Sequence, residues 1–201
     1  MAQLAGRNTA RPGYDRLSQL FHWTSAVLVM VVLLPLGFYA NWLGDGPVRT
    51  AILDHWHKPL GLLVIAVTVA RLGWKAVRPP VREADGLKRW ESVTSRIAHR
   101  LLYALLLAMP LSGLLMSQGA GRPTSFFGLF NLPQLLALDP ALGPRQQVAY
   151  KLGAFLHGTV FDWMLIALLV VHVFGALKHR YIDGDRGYFH RILGTAADVP
   201  Q

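Results

Sequence analysis

The sequence predicts an all-α integral membrane protein, a four-helix bundle with both termini cytoplasmic, and three observations predict it. Hydrophobic residues form 53% of the 201 positions and charged residues 15%, a balance that argues against an ordinary soluble domain. Four apolar stretches, near residues 19–40, 57–77, 97–117 and 155–177, are each long enough to cross a hydrocarbon core of about 30 Å as a helix. Lys and Arg divide unevenly between the connections, which orients the bundle.

The first stretch follows 18 mostly polar residues. A signal peptide has a short charged start and a small-residue cleavage site after its apolar core, so this span is expected to stay in the mature protein. The second stretch, 57–77, opens on His57 and carries Arg71 in its last turns; the polar run "RPPVREADGLKRWES" then reads as a cytoplasmic loop. The third, 97–117, has His99 near its start. The long connection 117–154 contains "RPTSFFGLFNLPQLLALDP", whose aromatic and leucine residues between Pro and Gly predict a segment lying on the outer membrane surface and capping the bundle. The fourth stretch closes the set.

The two tails and the second connection, with adjoining helix ends, hold 15 Lys and Arg; the first and third connections hold 5, namely Arg49, Lys58, Arg122, Arg145 and Lys151. By the positive-inside rule both termini are then cytoplasmic. Because the +9 net charge is gathered mainly on one side of a bilayer, the expected partner is lipid and not nucleic acid. The chain has no internal repeat, and residues 1–201 are read as a single domain. Cysteine is absent, which excludes disulfides, thiolate metal sites, Cys-held iron–sulfur clusters and thioether-linked haem.

Ionisable groups inside membrane helices are rare and usually face the bundle interior. His22 falls a turn or two inside the cytoplasmic end of the first span, and His57 at the outer end of the second. His157 and His172 share the fourth, about 22 Å apart along the axis and about 60° apart around it, from 15 steps of about 1.5 Å and 100°. His57 can therefore face His157 at an outer level, and His22 can face His172 at an inner one. Two opposed imidazoles are the axial set of a six-coordinate haem iron, and without Cys such a haem is non-covalent b-type. Zinc competes, but its sites take three or four protein ligands and the sequence lacks the usual His–Glu clusters. Four-helix bundles do house cofactors between facing helices.

The remaining candidates keep two readings each. Arg71 lies near the inner level, where a haem propionate or the headgroups would satisfy it. His179, seven residues beyond His172, is placed to contact a quinone or to end the helix in solvent. His99 is a haem neighbour, a proton relay or a packed residue. His55, on the loop side of His57, and His190 are read as surface residues. Arg49, Lys58 and Lys151 give the outer mouth positive character, which suits propionates or a small anion. Gly61, Gly113 and Gly175 let helices or a flat macrocycle approach closely.

In this order and spacing "YDRLSQLFHW", "HKPLGLLVIAVTVARLGWK", "AHRLLYALLLAMPLSGLLMS", "GRPTSFFGLFNLP", the fourth span and "HRYIDGDRGYFHRIL" resemble the bacterial cytochrome b561 family, membrane di-haem cytochromes that include superoxide oxidase. The resemblance covers nearly the whole chain, Tyr14 to Leu193. It implies two haem b groups, one held by His22 and His172 and the other by His57 and His157, in a bacterial inner membrane. It also implies electron exchange with ubiquinone, and an enzyme that passes electrons from periplasmic superoxide to ubiquinone. The alternative within the same fold is a non-catalytic di-haem subunit linking the quinone pool to another redox protein. In the family pattern the second ligand of the last helix follows the first by about 14 positions, whereas His172 follows His157 by 15. A local bulge would absorb the extra residue.

Overall fold

A computed structural model of the chain describes residues 14–78, 88–182 and 192–193. Arg7, Arg11, Arg82, Arg186, Arg191 and His190, and most of the last quoted motif, lie outside the described residues. Four helices are long and apolar enough to span a membrane: α1 (Arg16–Trp42), α2 (Pro47–Val77), α3 (Arg89–Gly119) and α4 (Val148–Tyr181). The bundle therefore has a termini end, where α1 begins, α2 ends, α3 begins and α4 ends, and a hairpin end, where the connections from α1 to α2 and from α3 to α4 lie.

Each helix starts on a recognisable signal. Asp15 caps α1, its carboxylate accepting from the backbone N–H groups of Leu17 and Ser18 at 3.1 Å. Gly46, in extended backbone, precedes Pro47 at the first position of α2, where a missing N–H costs nothing. Glu91 accepts the Lys88 backbone N–H at 3.0 Å at the head of α3. Three helices contain a π-helical stretch: Val27–Leu33 just before Pro35, Leu53–His57 just before Pro59, and Leu156–Phe161. The first two precede prolines, which interrupt the ordinary i→i−4 ladder. The third lies at the head of the run from His157 to His172, and a π turn takes up one residue more than regular α-helix. By ideal helix geometry, a turn that takes up one residue reduces the angle between His157 and His172 from about 60° to about 40°.

Three boundaries differ from expectation. α2 begins at Pro47 and not at 57, α3 at Arg89 and not at 97, and α4 runs from Val148 to Tyr181. The added turns are polar or mixed, so hydropathy passes over them, while local pairs such as Lys58 with Asp54 at 2.6 Å sustain the helix. His57 consequently lies well inside α2 and not at its outer end, and His55 lies on the helix, exposed, with its Nδ1 3.0 Å from the Ala51 carbonyl.

Val29, Val64, Leu102, Leu105 and Leu165, drawn from all four helices, form the central core. Large apolar side chains such as Val31, Val69 and Phe174 are exposed on the bundle exterior, as a lipid-facing surface requires. At the termini end Trp74 Nε1 donates to Asp15 (3.1 Å), Lys178 pairs with Glu91 (2.6 Å), and Trp23 Nε1 donates to the Ile192 carbonyl (3.1 Å). At the hairpin end α3 and α4 cross so closely that a Cβ on Gly153 would lie 2.5 Å from the Met116 backbone nitrogen.

The connection after α3 folds over that end. It contains a short antiparallel pair the sequence did not signal, β1 (Thr124–Phe126) and β2 (Phe130–Leu132), in register Thr124↔Leu132. Phe127 (φ 49°) and Gly128 (φ 75°) turn the chain between the strands, and Phe126 stacks on Phe130 at 5.4 Å. Two buried glutamines fasten the rest. Gln118 donates to the Pro133 carbonyl (2.7 Å) and accepts from Leu135 N–H (2.8 Å), while Gln147 donates to the Asp139 carbonyl (2.8 Å) and accepts from its N–H (3.1 Å).

Candidate functional site

The histidines meet in two places. At the hairpin end His57 of α2 and His157 of α4 have ring centroids 5.9 Å apart. At the termini end His22 of α1 and His172 of α4 lie 6.2 Å apart, and His99 of α3 stands 5.0 Å from His172. Two imidazoles sharing one metal ion are separated by about 6 Å between ring centres, two metal–nitrogen bonds of about 2 Å plus a ring radius at each end. Both facing pairs meet that measure. Among the described residues no group of three His, Cys, Asp or Glu side chains is arranged to hold a metal ion, so the donor sets suit an ion whose other positions are filled by a macrocycle better than they suit zinc.

At the hairpin end both histidines sit in π-helical stretches, which recur at functional sites. His157 is fixed by α3. Its Nδ1 lies 2.8 Å from the Met109 carbonyl; a carbonyl only accepts, so Nδ1 carries the proton and Nε2 keeps its lone pair. Gly113 makes room for the ring, since a Cβ there would stand 2.9 Å from His157 Cε1. His57 Nδ1 is buried without a hydrogen-bond partner. A cavity of about 340 Å³ is bordered by both histidines and by Gly37, Gly61 and Gly113. An orphaned buried nitrogen on His57, a fixed imidazole on His157 and glycines lining the adjoining cavity fit a flat ligand.

The same cavity opens among Arg49, Lys58, Arg122 and Arg145. The expected Lys151 is exposed in the first turns of α4 and does not border it. Asp45 bridges the mouth, accepting from Arg145 (2.8 Å) and Arg49 (2.9 Å). Arg145 donation holds the Asp45 carboxyl below its usual range, helped by the charges of Arg145, Arg49 and Arg122.

The termini end is organised by charge. Arg71 Nη2 lies 3.2 Å from His22 Nδ1, and Arg71 and Lys75 lie over the Tyr103 ring at 5.1 and 5.0 Å. Arg71 thus faces the bundle and not the headgroups. His99 Nδ1 donates to the Ser95 carbonyl at 2.6 Å, and its ring stands edge-on to His172. His179 is half-buried in the last turn of α4.

Sequence reasoning missed several contributors. The Met109 carbonyl leaves no trace in residue type. Ser112 went unread, although a small polar residue just after Pro110 in a span, beside the already singled-out Gly113, was the available signal. Asp162, a carboxylate within α4 that borders the cavity, was legible as an ionisable residue in an apolar stretch and was passed over.

A profile of the prokaryotic cytochrome b561 family matches residues 13–194. Over 190 residues the chain is 32% identical to cytochrome b561 homolog 2 of Escherichia coli (strain K12), covering 92% of this chain and 93% of that protein. It is 25% identical over 174 residues to cytochrome b561 homolog 1 of the same strain, covering 86% and 92%.

Proposed function

The chain belongs to the prokaryotic cytochrome b561 family and is a bacterial membrane haem protein of electron transfer, and from that premise we propose that it is a di-haem superoxide:ubiquinone oxidoreductase. Residues 1–201 act as one domain in the bacterial inner membrane, with both termini cytoplasmic and the hairpin end periplasmic. His57 and His157 hold one haem b, and His22 and His172 hold the second. The observation that carries the proposal is the pair of facing imidazole sets, 5.9 and 6.2 Å apart, at opposite ends of one bundle.

The haems supply one-electron storage. The chain supplies position, exclusion of water and charge. Two superoxide anions each lose one electron and leave as dioxygen, which needs no proton. One ubiquinone takes the two electrons and two protons from the cytoplasmic side and leaves as ubiquinol. Arg49, Lys58, Arg122 and Arg145 at the mouth favour approach of a small anion. Arg71 is placed to receive a propionate of the cytoplasmic-side haem, and His179 and His99 are candidates to serve quinone protonation.

Stopped-flow mixing of the oxidised, quinone-free protein with superoxide tests the activity: haem reduction outrunning spontaneous dismutation is expected, and none would reject it. A stoichiometric redox subunit purifying with the chain, together with inert behaviour toward superoxide, would instead identify an electron-transfer subunit. Absorption spectra of His22→Ala, His57→Ala, His157→Ala and His172→Ala should each lack one haem's normal signal.

A further inference from the structure

α3 supplies neither member of the hairpin-end pair, yet it governs His157. The Met109 carbonyl has two claimants. His157 Nδ1 lies 2.8 Å from it, and Ser112 Oγ lies 2.7 Å from it. Ser112 and His157 are themselves 3.3 Å apart, beyond the usual N–H···O range of about 2.7–3.2 Å, so their direct contact is the weak side of the triangle. Ser112 is buried, and since the carbonyl can only accept, the hydroxyl must spend its single proton there. Two donors therefore share one acceptor.

An imidazole ligand becomes a stronger electron donor at Nε2 as the acceptor on its Nδ1 proton becomes stronger. Any donor that competes for that acceptor weakens the effect. We infer that Ser112 is a redox-tuning residue: by drawing on the Met109 carbonyl it moderates the donor strength of His157 and holds up the reduction potential of the hairpin-end haem. This rests on the proposed assignment of His157 as an axial ligand. At the termini end His22 Nδ1 lies against a guanidinium, and the ring whose Nδ1 shares a serine hydroxyl and a carbonyl is His99, with Ser95, which is not one of the proposed ligands.

Potentiometric titration of the haem-loaded, purified protein, followed by absorption, tests the inference, with His57→Ala identifying which step belongs to the hairpin end. In Ser112→Ala the Met109 carbonyl loses the competing hydroxyl while keeping His157, so the hairpin-end potential should fall while the termini-end potential and the haem-to-protein ratio stay unchanged. Ser112→Thr keeps a hydroxyl able to reach the same carbonyl and should titrate like the wild type. An unchanged or raised hairpin-end potential in Ser112→Ala, or an equal shift of both haems, overturns the inference. His157→Ala separates the two levels of failure. If it retains both haems, the ligand assignment falls and the tuning role with it; if it loses one haem while Ser112→Ala shifts nothing, only the tuning role falls.

Discussion

The two histidine pairs have nearly the same ring separation and opposite surroundings. The hairpin-end pair sits on π turns beside a glycine-walled cavity, with one ring fixed by a backbone carbonyl. The termini-end pair sits on regular helix among a third imidazole and unpaired cations: no carboxylate among the described residues bonds Arg71 or Lys75. Shape controls the first pair and charge the second. A change of volume should therefore damage the hairpin end most, and a change of charge the termini end.

The largest effect is expected from Gly113→Ala. Its new methyl would stand 2.9 Å from His157 Cε1, forcing the ring off its carbonyl, so the purified protein should lose about half of a two-haem complement. Gly175→Ala, with nothing within 4 Å, should keep all of it. If both variants hold equal haem, shape does not control this pair.

Next in size is Gly153→Ala, where the clash is with Met116 backbone and cannot be relieved by a rotamer. Overpacking of this kind costs about 1–3 kcal/mol, worth about 2–4 °C of melting temperature per kcal/mol in a chain of this size. A thermal scan of haem absorbance reads it, and both haems should leave together at the lower temperature.

Arg71→Gln should spare haem stoichiometry while shifting the spectrum and potential of the termini-end haem alone. Lys at this position should restore the potential in part, because it keeps the charge and loses the planar fork. A shift confined to the hairpin-end haem would reverse the comparison.

The smallest effect belongs to Asp45→Asn, which removes the bridges to Arg145 and Arg49 across the mouth. Because the folded carboxyl is held below its ordinary value, its contribution is fully present above pH about 4, the unfolded value, and disappears as pH falls through the lower folded value. The gap in melting temperature between wild type and Asp45→Asn should be measurable at pH 6, narrow in high salt, and close as the pH falls through the lowered folded value.

Much of this was readable in the residues. Four spans and the pairing of His22 with His172 and of His57 with His157 follow from spacing, because helical rise and twist are fixed quantities; the expectation of a bulge in the last helix came from the family resemblance. Helix ends were not readable, since polar turns outside hydrocarbon give no hydropathy signal; α2 hides ten residues of helix, Pro47 to Trp56, in this way. The β1–β2 pair escaped because three-residue strands carry too little alternation to be seen. The Met109 carbonyl escaped for a deeper reason: every residue has one, and only the packing of α3 against α4 decides which of them matters.

The π turn at Leu156–Phe161 has a consequence for how this helix tolerates editing. Removing one residue from a spanning helix normally swings everything beyond it by about 100°. Here a loss between His157 and Asp162 would let the wider turn close to ordinary α-helix, and the segment carrying His172 would keep its bearing. The fourth span thus holds a spare position, a place where chain length can drift by one without unseating what lies below.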